Sequence, residues 1–341
     1  MTMNFEREQK LHTIKVIISE IVMVLSVLLV VGVLILIVSG YWVNEEFKVE
    51  RQGMIQVSSV PTGATVIVDG VPSGWFERTN MSKIITNGEH TVTVTRDGYD
   101  SWTKTIEVSE GLLYRLHYPR LFLNERTKEK VLSNLEATKV KVSPKRDYLL
   151  VTDKAGAIGL VNLNSDIPDV KEMTDLQVDE LLHDWETFYK NEELYDKKGN
   201  IILEFYEDKY LVTVKENKII VVKKDTGNEL INTEISFIPK IKEIGHNGEF
   251  IVFSNGNKLA TLDMESTRVK EWTVESEDFY WIDNDMIGVV DDGGKVIVYD
   301  YDGLNRREIT DGVNAKLPVM ITDDRWLYYF SIDDVLMREI L

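Results

Sequence analysis

The run Ile21–Val38 constrains this chain more than any other stretch. It reads I-V-M-V-L-S-V-L-L-V-V-G-V-L-I-L-I-V, carries no charge, and is interrupted only by Ser26 and Gly32. Eighteen helical residues cover about 27 Å, close to the roughly 30 Å hydrocarbon core of a bilayer. In lipid every backbone N–H and C=O must be satisfied within the segment, so a single span has to be a helix. Residues 21–40 therefore read as a transmembrane helix and as the contact with the membrane. Arg7, Lys10 and Lys15 precede the run, whereas Tyr41, Trp42, Glu45 and Glu46 follow it. Basic residues stay on the cytoplasmic side, and Tyr and Trp favour the interface. The expectation is a single-pass protein in the cell membrane, with residues 1–20 cytoplasmic and residues from about 45 onward extracytoplasmic. A cleaved signal ending near Val38-Ser39-Gly40 is the rival reading, but the apolar run exceeds the usual signal core of about 7–15 residues. A buried core helix is the third.

The chain of 341 residues contains no cysteine. Disulfides, thiol catalysis and Cys-ligated zinc are excluded, so the exported part must be held by its core alone. The net charge of −18 is unevenly spread: residues 41–150 carry 15 basic and 14 acidic groups, residues 151–341 carry 21 and 40. Such an acidic body repels phosphate backbones, which excludes nucleic acid as its partner. The surplus serves solubility, or suits a cation or a basic partner.

Alternating residues of period 2 begin at Met54-Ile55-Gln56-Val57-Ser58. Pro61-Thr62-Gly63-Ala64 has turn chemistry, Thr65–Val68 alternates again, and Asp69-Gly70 signals a tight hairpin. Asn87-Gly88, the strand His90–Thr95, Asp97-Gly98-Tyr99 and the strand Trp102–Val108 complete the set, with Trp102, Ile106 and Val108 on one face. Short strands with glycine turns at this spacing predict a small antiparallel sandwich. The order Pro-x-Gly-Ala, V-x-V-D-G, G-x-H-x-V-x-V, D-G-Y resembles the PEGA domain over residues 53–118. Two departures are Thr62, where that family's name-giving motif has Glu, and Val71–Trp75, where only Pro72 and Gly74 remain of a Gly-Thr-Pro step. The resemblance implies a surface-associated accessory module whose signature residues are structural. His90, at a strand start among apolar residues, reads as a structural side chain. Residues 119–140, with the charged run Arg126-Thr127-Lys128-Glu129-Lys130, read as an exposed linker.

From residue 141 to 341 a degenerate repeat recurs: turn, aromatic-rich strand, second turn, β-branched strand, polar turn. Anchored on Tyr210, Phe250, Ile287 and Leu327, its spacings are 40, 37 and 40 residues; a gap of 62 follows Tyr148. That gap holds Thr187-Phe188-Tyr189 and Asn200–Leu203, read as one more blade out of register. A period near 40 is the signature of a β-propeller. The fragments Ser143–Val151 and Tyr299–Thr310 resemble TolB-type and WD-repeat propellers, the first as an inner strand with its turn, the second as an outer hairpin. The fold class is mainly β: a transmembrane helix, a PEGA-like sandwich and a propeller of five or six blades, the last strand completing the first blade.

No G-x-S-x-G, H-E-x-x-H or phosphate-loop pattern occurs. Asp291-Asp292-Gly293-Gly294-Lys295 reads as a hairpin turn. Asp300-Tyr301-Asp302-Gly303 begins like a calcium loop but lacks the later carboxylates. Asp323-Asp324 and Asp333-Asp334 are similar close pairs. The five histidines, His12, His90, His117, His183 and His246, are scattered, and Asn80-Met81-Ser82 fits a glycosylation acceptor. Trp272, Trp281, Trp326, Tyr280, Tyr328 and Tyr329 read as core, with a sugar- or peptide-binding face as the alternative. No catalytic, cofactor-binding or metal residue is assigned, and no cofactor is implied. The expected function is non-catalytic: an envelope protein with the PEGA module as spacer and the acidic propeller as a platform for an envelope protein or cell-wall polymer. A propeller hydrolase or lyase with a central-channel site, and a cation-stabilised surface scaffold, are the alternatives.

Overall fold

The computed structural model describes residues 2–38, 41–43, 49–73, 78–130, 137–145, 147–165, 170–188, 195–205, 208–244, 249–277, 279–309, 316–322, 326–331 and 336–340. They divide into two compact units: Met1–Thr93 with Thr105–Pro119, and Val94–Lys104 with Arg120–Leu341.

The first unit opens with helix α1 (Thr2–Val38). Within it Ile17–Leu36 is 20 residues long, has mean hydropathy 2.8 and is nowhere buried, so it is long and apolar enough to cross a membrane. The apolar window begins earlier than the sequence reading because Ile17 and Ile18 extend it past Glu20. Strands β1 (Tyr41–Val43) and β2 (Val49–Arg51) form an antiparallel ribbon that sets Tyr41 opposite Arg51. Seven strands follow: β3 (Gly53–Val57), β4 (Thr65–Val68), β5 (Val71–Pro72), β6 (Met81–Ile85), β7 (Gly88–Thr95), β8 (Trp102–Val108) and β9 (Leu113–Leu116). They make two sheets, β6-β3-β9 and β5-β4-β7-β8, with β9 parallel to β3. Alternation places Ile55, Val57, Val66, Val92, Ile106, Val108 and Leu116 inside, each at most 3% exposed. Asp69 and Gly70 both take positive φ, 52° and 77°, as a two-residue hairpin loop of the I′ kind requires. His90 is buried between Asp69, 2.6 Å from Nδ1, and the Thr86 carbonyl, 2.8 Å from Nε2. It ties the hairpin loop to the next strand. Gly74 and Trp75, at the family's variable step, lie outside the described residues.

The second unit is a propeller of five four-stranded antiparallel sheets. After strand β10 (Lys128–Lys130), blade 1 is β11 (Ala137–Val142), β12 (Tyr148–Asp153), β13 (Ile158–Asn162) and β14 (Val170–Met173). Helix α2 (Asp175–Phe188) leads to blade 2: β15 (Ile201–Phe205), β16 (Asp208–Lys215), β17 (Lys218–Lys223) and β18 (Glu229–Glu234). Blade 3 is β19 (Ile241–Ile244), β20 (Phe250–Asn255), β21 (Lys258–Asp263) and β22 (Arg268–Thr273). Blade 4 is β23 (Phe279–Trp281), β24 (Met286–Val290), β25 (Val296–Asp300) and β26 (Arg307–Glu308). Blade 5 is β27 (Lys316–Thr322), β28 (Trp326–Phe330) and β29 (Leu336–Ile340), with β10 as its fourth strand beside β29.

Neighbouring blades bury each other's faces. Ile201, Val212 and Ile219 of blade 2 meet Ile251, Phe253 and Leu262 of blade 3. On β28 the period of two divides the work: Leu327 and Tyr329 face Met286, Val296 and Val298 of blade 4, while Trp326, Tyr328 and Phe330 face Leu149, Val151 and Val161 of blade 1. The last blade thus packs on the first, and the ring closes.

The closure is fixed by Arg126. Its Nε donates to Glu339 Oε1 at 2.9 Å, its Nη1 to the Leu123 carbonyl at 2.8 Å and its Nη2 to the Ile309 carbonyl at 2.9 Å. Glu339 is 1% exposed, so this is a buried charge pair joining the chain before β10 to β29 and to the end of blade 4.

Four expectations are revised. Among the described residues the gap of 62 holds no sixth blade. Asn200–Leu203 leads into the first strand of blade 2, Phe188 ends α2, and Tyr189 lies outside the described residues. The first strand completes the last blade, rather than the last completing the first. The stretch Ser143–Val151, expected as an inner strand, leads into the second strand of blade 1, and the anchors Tyr210, Phe250, Ile287 and Leu327 also fall on second strands. Finally, the stretch read as an exposed linker contains buried Arg120, Leu121 and Phe122 and the closing strand β10.

Truncating Arg126 leaves Glu339 buried without its cation, so Arg126→Ala is expected to cost about 3–5 kcal/mol. Arg126→Met combined with Glu339→Met removes both charges and should recover most of that loss. Urea unfolding of the full-length protein in detergent, followed by tryptophan fluorescence, measures both. Equal stabilities for Arg126→Ala and wild type would remove the pair from its closing role.

Candidate functional site: the two faces of the propeller

In an antiparallel four-stranded blade, the turns after the first and third strands fall on one face of the ring. The turn after the second strand and the connection to the next blade fall on the other. The first face carries a buried polar network on blades 3 and 4. Asp300, 1% exposed at the end of β25, accepts from Trp102 Nε1 and from Asn305 Nδ2, both at 2.7 Å. Asp302, 5% exposed, meets Lys104 Nζ at 2.8 Å and Lys270 Nζ at 3.5 Å. The Lys104 ammonium also donates to the Tyr301 hydroxyl, which in turn donates to Asp263. The Tyr301 ring stacks on Phe250 with centroids 3.8 Å apart. Arg120 pairs with Asp283. Trp102 and Lys104 belong to the propeller's compact unit although strand β8 carries them.

Burial sets the protonation of these acids. Asp263 is raised above the ordinary carboxylate range by burial, against hydrogen bonds from Ser266 and with help from the Glu249 charge. Asp285 is raised well above it, again by burial first and then by Asp283, with Arg120 opposing. Asp300 is pushed up to about 6: burial dominates, Asp302 adds to it, and Arg307 and Lys104 oppose it. The network neutralises charge inside the turn layer. Asp300 and Asp302 are occupied by indole, amide and ammonium donors, so the stretch that begins like a calcium loop is a bonded turn. Gly303 closes it with φ 78°, and a Cβ there would sit 2.6 Å from the Trp272 ring.

The opposite face carries α2, inserted between blades 1 and 2. Thr174 and Gln177 form its capping box: Thr174 N donates to Gln177 Oε1 at 3.0 Å, and Gln177 N lies 3.5 Å from Thr174 Oγ1. Val178, Leu181, Leu182, Trp185 and Phe188 fall at helical spacing on one side; Val178 is buried and the other four are half-buried. Asp175, Asp179, Glu180, Asp184 and Glu186 are exposed around the rest, and the helix contains no Lys or Arg. Leu176, in the first turn, is 70% exposed. The helix thus presents a strongly acidic surface with partly open apolar side chains.

The other residues singled out in the sequence fall as follows. Trp281, Trp326, Tyr328 and Tyr329 are buried, and half-buried Trp272 packs on Tyr299 and donates to Thr261, so this aromatic set serves the core. Asp291–Lys295 turns between β24 and β25, with Gly294 at φ 74° and Asp291 accepting from Lys295 N at 2.8 Å. Asn80 is exposed, and His183 is exposed on α2. Asp323-Asp324, Asp333-Asp334, His246 and the His12 side chain lie outside the described residues. Two features went unread in the sequence. Lys104 alternates with Trp102, Ile106 and Val108 and is buried with them. The α2 signal was present in Thr-Asp-Leu-Gln followed by apolar residues at i, i+3, i+4 and i+7.

Residues 52–119 match the PEGA domain. No curated protein sequence matches the chain. Among solved structures, an auxiliary nutrient binding protein from Bacteroides ovatus aligns over 86% of this chain and 98% of its own, at 11% identity and TM-score 0.28. The virginiamycin B lyase from Staphylococcus aureus aligns over 74% and 91%, at 12% identity and TM-score 0.26. The β-propeller domain of Cps50 (Swd1) from Myceliophteria thermophila aligns over 74% and 80%, at 8% identity and TM-score 0.28. At these scores the propeller assignment stands on the sheet order and on the closure by β10.

The Asp300 carboxyl holds its proton to a higher pH in the folded chain than in the unfolded one. Its stabilising contribution is complete below about pH 4 and is lost as pH rises through about 6. Asp300→Asn keeps an acceptor for Trp102 but removes the titration. Relative to wild type, the variant should gain about 2–3 kcal/mol between pH 4 and pH 7. Urea unfolding at several pH values reads the difference, and two parallel stability profiles would contradict it.

Proposed function

We propose that this chain is a non-catalytic, membrane-anchored envelope protein. Its α1 helix is retained as a single span with the N-terminus in the cytoplasm, its PEGA module is a spacer, and its propeller is a docking platform. The α2 surface carries the reading: five exposed carboxylates, no basic residue and a partly open apolar stripe, on the face opposite the buried network. Such a surface suits a basic envelope protein with an apolar centre, since charge of opposite sign steers encounter and apolar contact slows release. A cell-wall polymer would need cationic groups to use the same surface. A binding role is also supported by the buried ionisable groups of the other face, which bond one another within the turn layer.

The test reverses charge on the exposed side of α2 with Asp179→Lys, Glu180→Lys and Asp184→Lys together. These side chains are exposed, so the melting temperature should change little. Recovery of a crosslinked envelope partner should fall at least tenfold, and the wild-type interaction should weaken with added salt. Undiminished recovery with the triple variant would remove α2 from the platform.

A further inference from the structure

The first unit exposes three large apolar side chains that the fold brings together. Met54 on β3 and Ile84 on β6 are cross-strand partners, so both side chains stand on the same outer face of sheet β6-β3-β9. The backbone N–H of Met54 donates to the Leu112 carbonyl at 2.9 Å, so Leu112 lies in the loop beside the start of β3, while the strand register puts Leu113 across from Met54. Their exposures are 38% for Met54, 55% for Ile84 and 62% for Leu112. Scattered apolar residues are ordinary on a surface, but a contiguous group marks something to be covered.

The chain itself says what lies nearby. Fifteen residues separate Val38, the end of α1, from Met54, and extended they could reach roughly 55 Å. The β1–β2 ribbon removes most of that reach, because Arg51 is paired with Tyr41. Paired strands hold such partners about 5 Å apart. Three residues lead from Val38 to Tyr41 and three from Arg51 to Met54, so Met54 lies at most roughly 27 Å from the end of the apolar helix. The folded-back ribbon keeps β3 close to the end of α1. Tyr41, 38% exposed, sits at the junction, where an amphipathic ring prefers the headgroup level.

We infer that Met54 and Ile84, with exposed Leu112 in the adjoining loop, form a lipid-docking patch that seats the outer face of sheet β6-β3-β9 in the bilayer interface. This rests on α1 spanning the membrane. The patch lowers the free domain's motion about the ribbon and replaces a swinging tether with a seated base.

The absence of native cysteine makes the test direct. Single substitutions Ile84→Cys and Leu112→Cys in the full-length protein are labelled with an environment-sensitive fluorophore and reconstituted in phosphatidylcholine vesicles containing doxyl-labelled lipid. Leu28→Cys reports α1, and Thr105→Cys, exposed on the other sheet, reports a site off the patch. Labels at 84 and 112 should be quenched at least twofold more than the label at 105, most strongly by doxyl groups near the headgroup. Quenching at 28 with 84 and 112 equal to 105 overturns the patch and leaves the anchor intact. No quenching at 28 overturns the anchor and the patch with it. Fluorophore–fluorophore contact at 112 in dilute vesicles, without lipid quenching, assigns the surface to a second copy and overturns lipid docking.

Discussion

A ring of sheets without disulfides depends on how its ends are joined. Here the joint is a strand taken from ahead of the first blade and laid on the last, with one arginine at its base. Arg126 faces a carboxylate that is 1% exposed, the nearby Leu123 carbonyl and the Ile309 carbonyl at the end of blade 4. An ion pair in such a place adds little over well-packed apolar side chains, because desolvation consumes much of the attraction. Its contribution is positional. A guanidinium has donors in a fixed fork, and its three acceptors come to the right separations only when the connection before β10, strand β29 and the end of blade 4 are all in place. The register of the closing strand is therefore specified by polar geometry, while the alternating face of β28 provides the bulk of the burial.

The polar network at the ends of β21 and β25 follows the same logic with a different balance. Asp300 is stabilised by neutral donors, an indole and an amide, and by burial it approaches the neutral state itself. Asp302 is met by two ammonium groups and stays paired. Two acids two residues apart thus meet like-charge crowding in different ways: Asp300 takes up a proton as pH falls through about 6, whereas Asp302 is given a counter-charge. The stack of Tyr301 on Phe250 holds the turn between them and shields both from water. Gly303 is required because the indole of Trp272 occupies the space a side chain would take.

What could be read in the sequence follows which faces of each strand are covered. The second strands of the blades are buried on both sides, as in Phe250–Ser254 and Trp326–Phe330, and so appear as continuous apolar runs. They carry the period near 40, and one of them, in Ser143–Val151, reads as an inner strand from its resemblance to known propellers. First and fourth strands such as Lys139-Val140-Lys141 and Arg268–Thr273 are largely exposed and read as loop or turn. Strand β10 has three residues, two of them lysine, and nothing local marks it as a strand. Its partner lies at the far end of the chain, so only the fold could reveal it. In the PEGA-like module β3, β4, β7 and β8 were legible because each alternates and has one wet face, whereas β5, β6 and β9 went unread. Asp300 was legible as a turn residue but not as a buried acid, since its donors come from Trp102 and Asn305, one of them far away in sequence.

Charge is partitioned along the chain in a way that fits a tethered molecule. Residues 41–150 are nearly neutral, and the surplus of 19 negative charges belongs to residues 151–341. A short tether raises the local concentration of whatever it carries next to the bilayer. If that part were strongly acidic, an anionic leaflet would repel it and work against seating. Connectivity instead places the nearly neutral module, with its open apolar trio, directly after the span. The acidic propeller comes later in the chain, and the carboxylates of α2 are exposed to water.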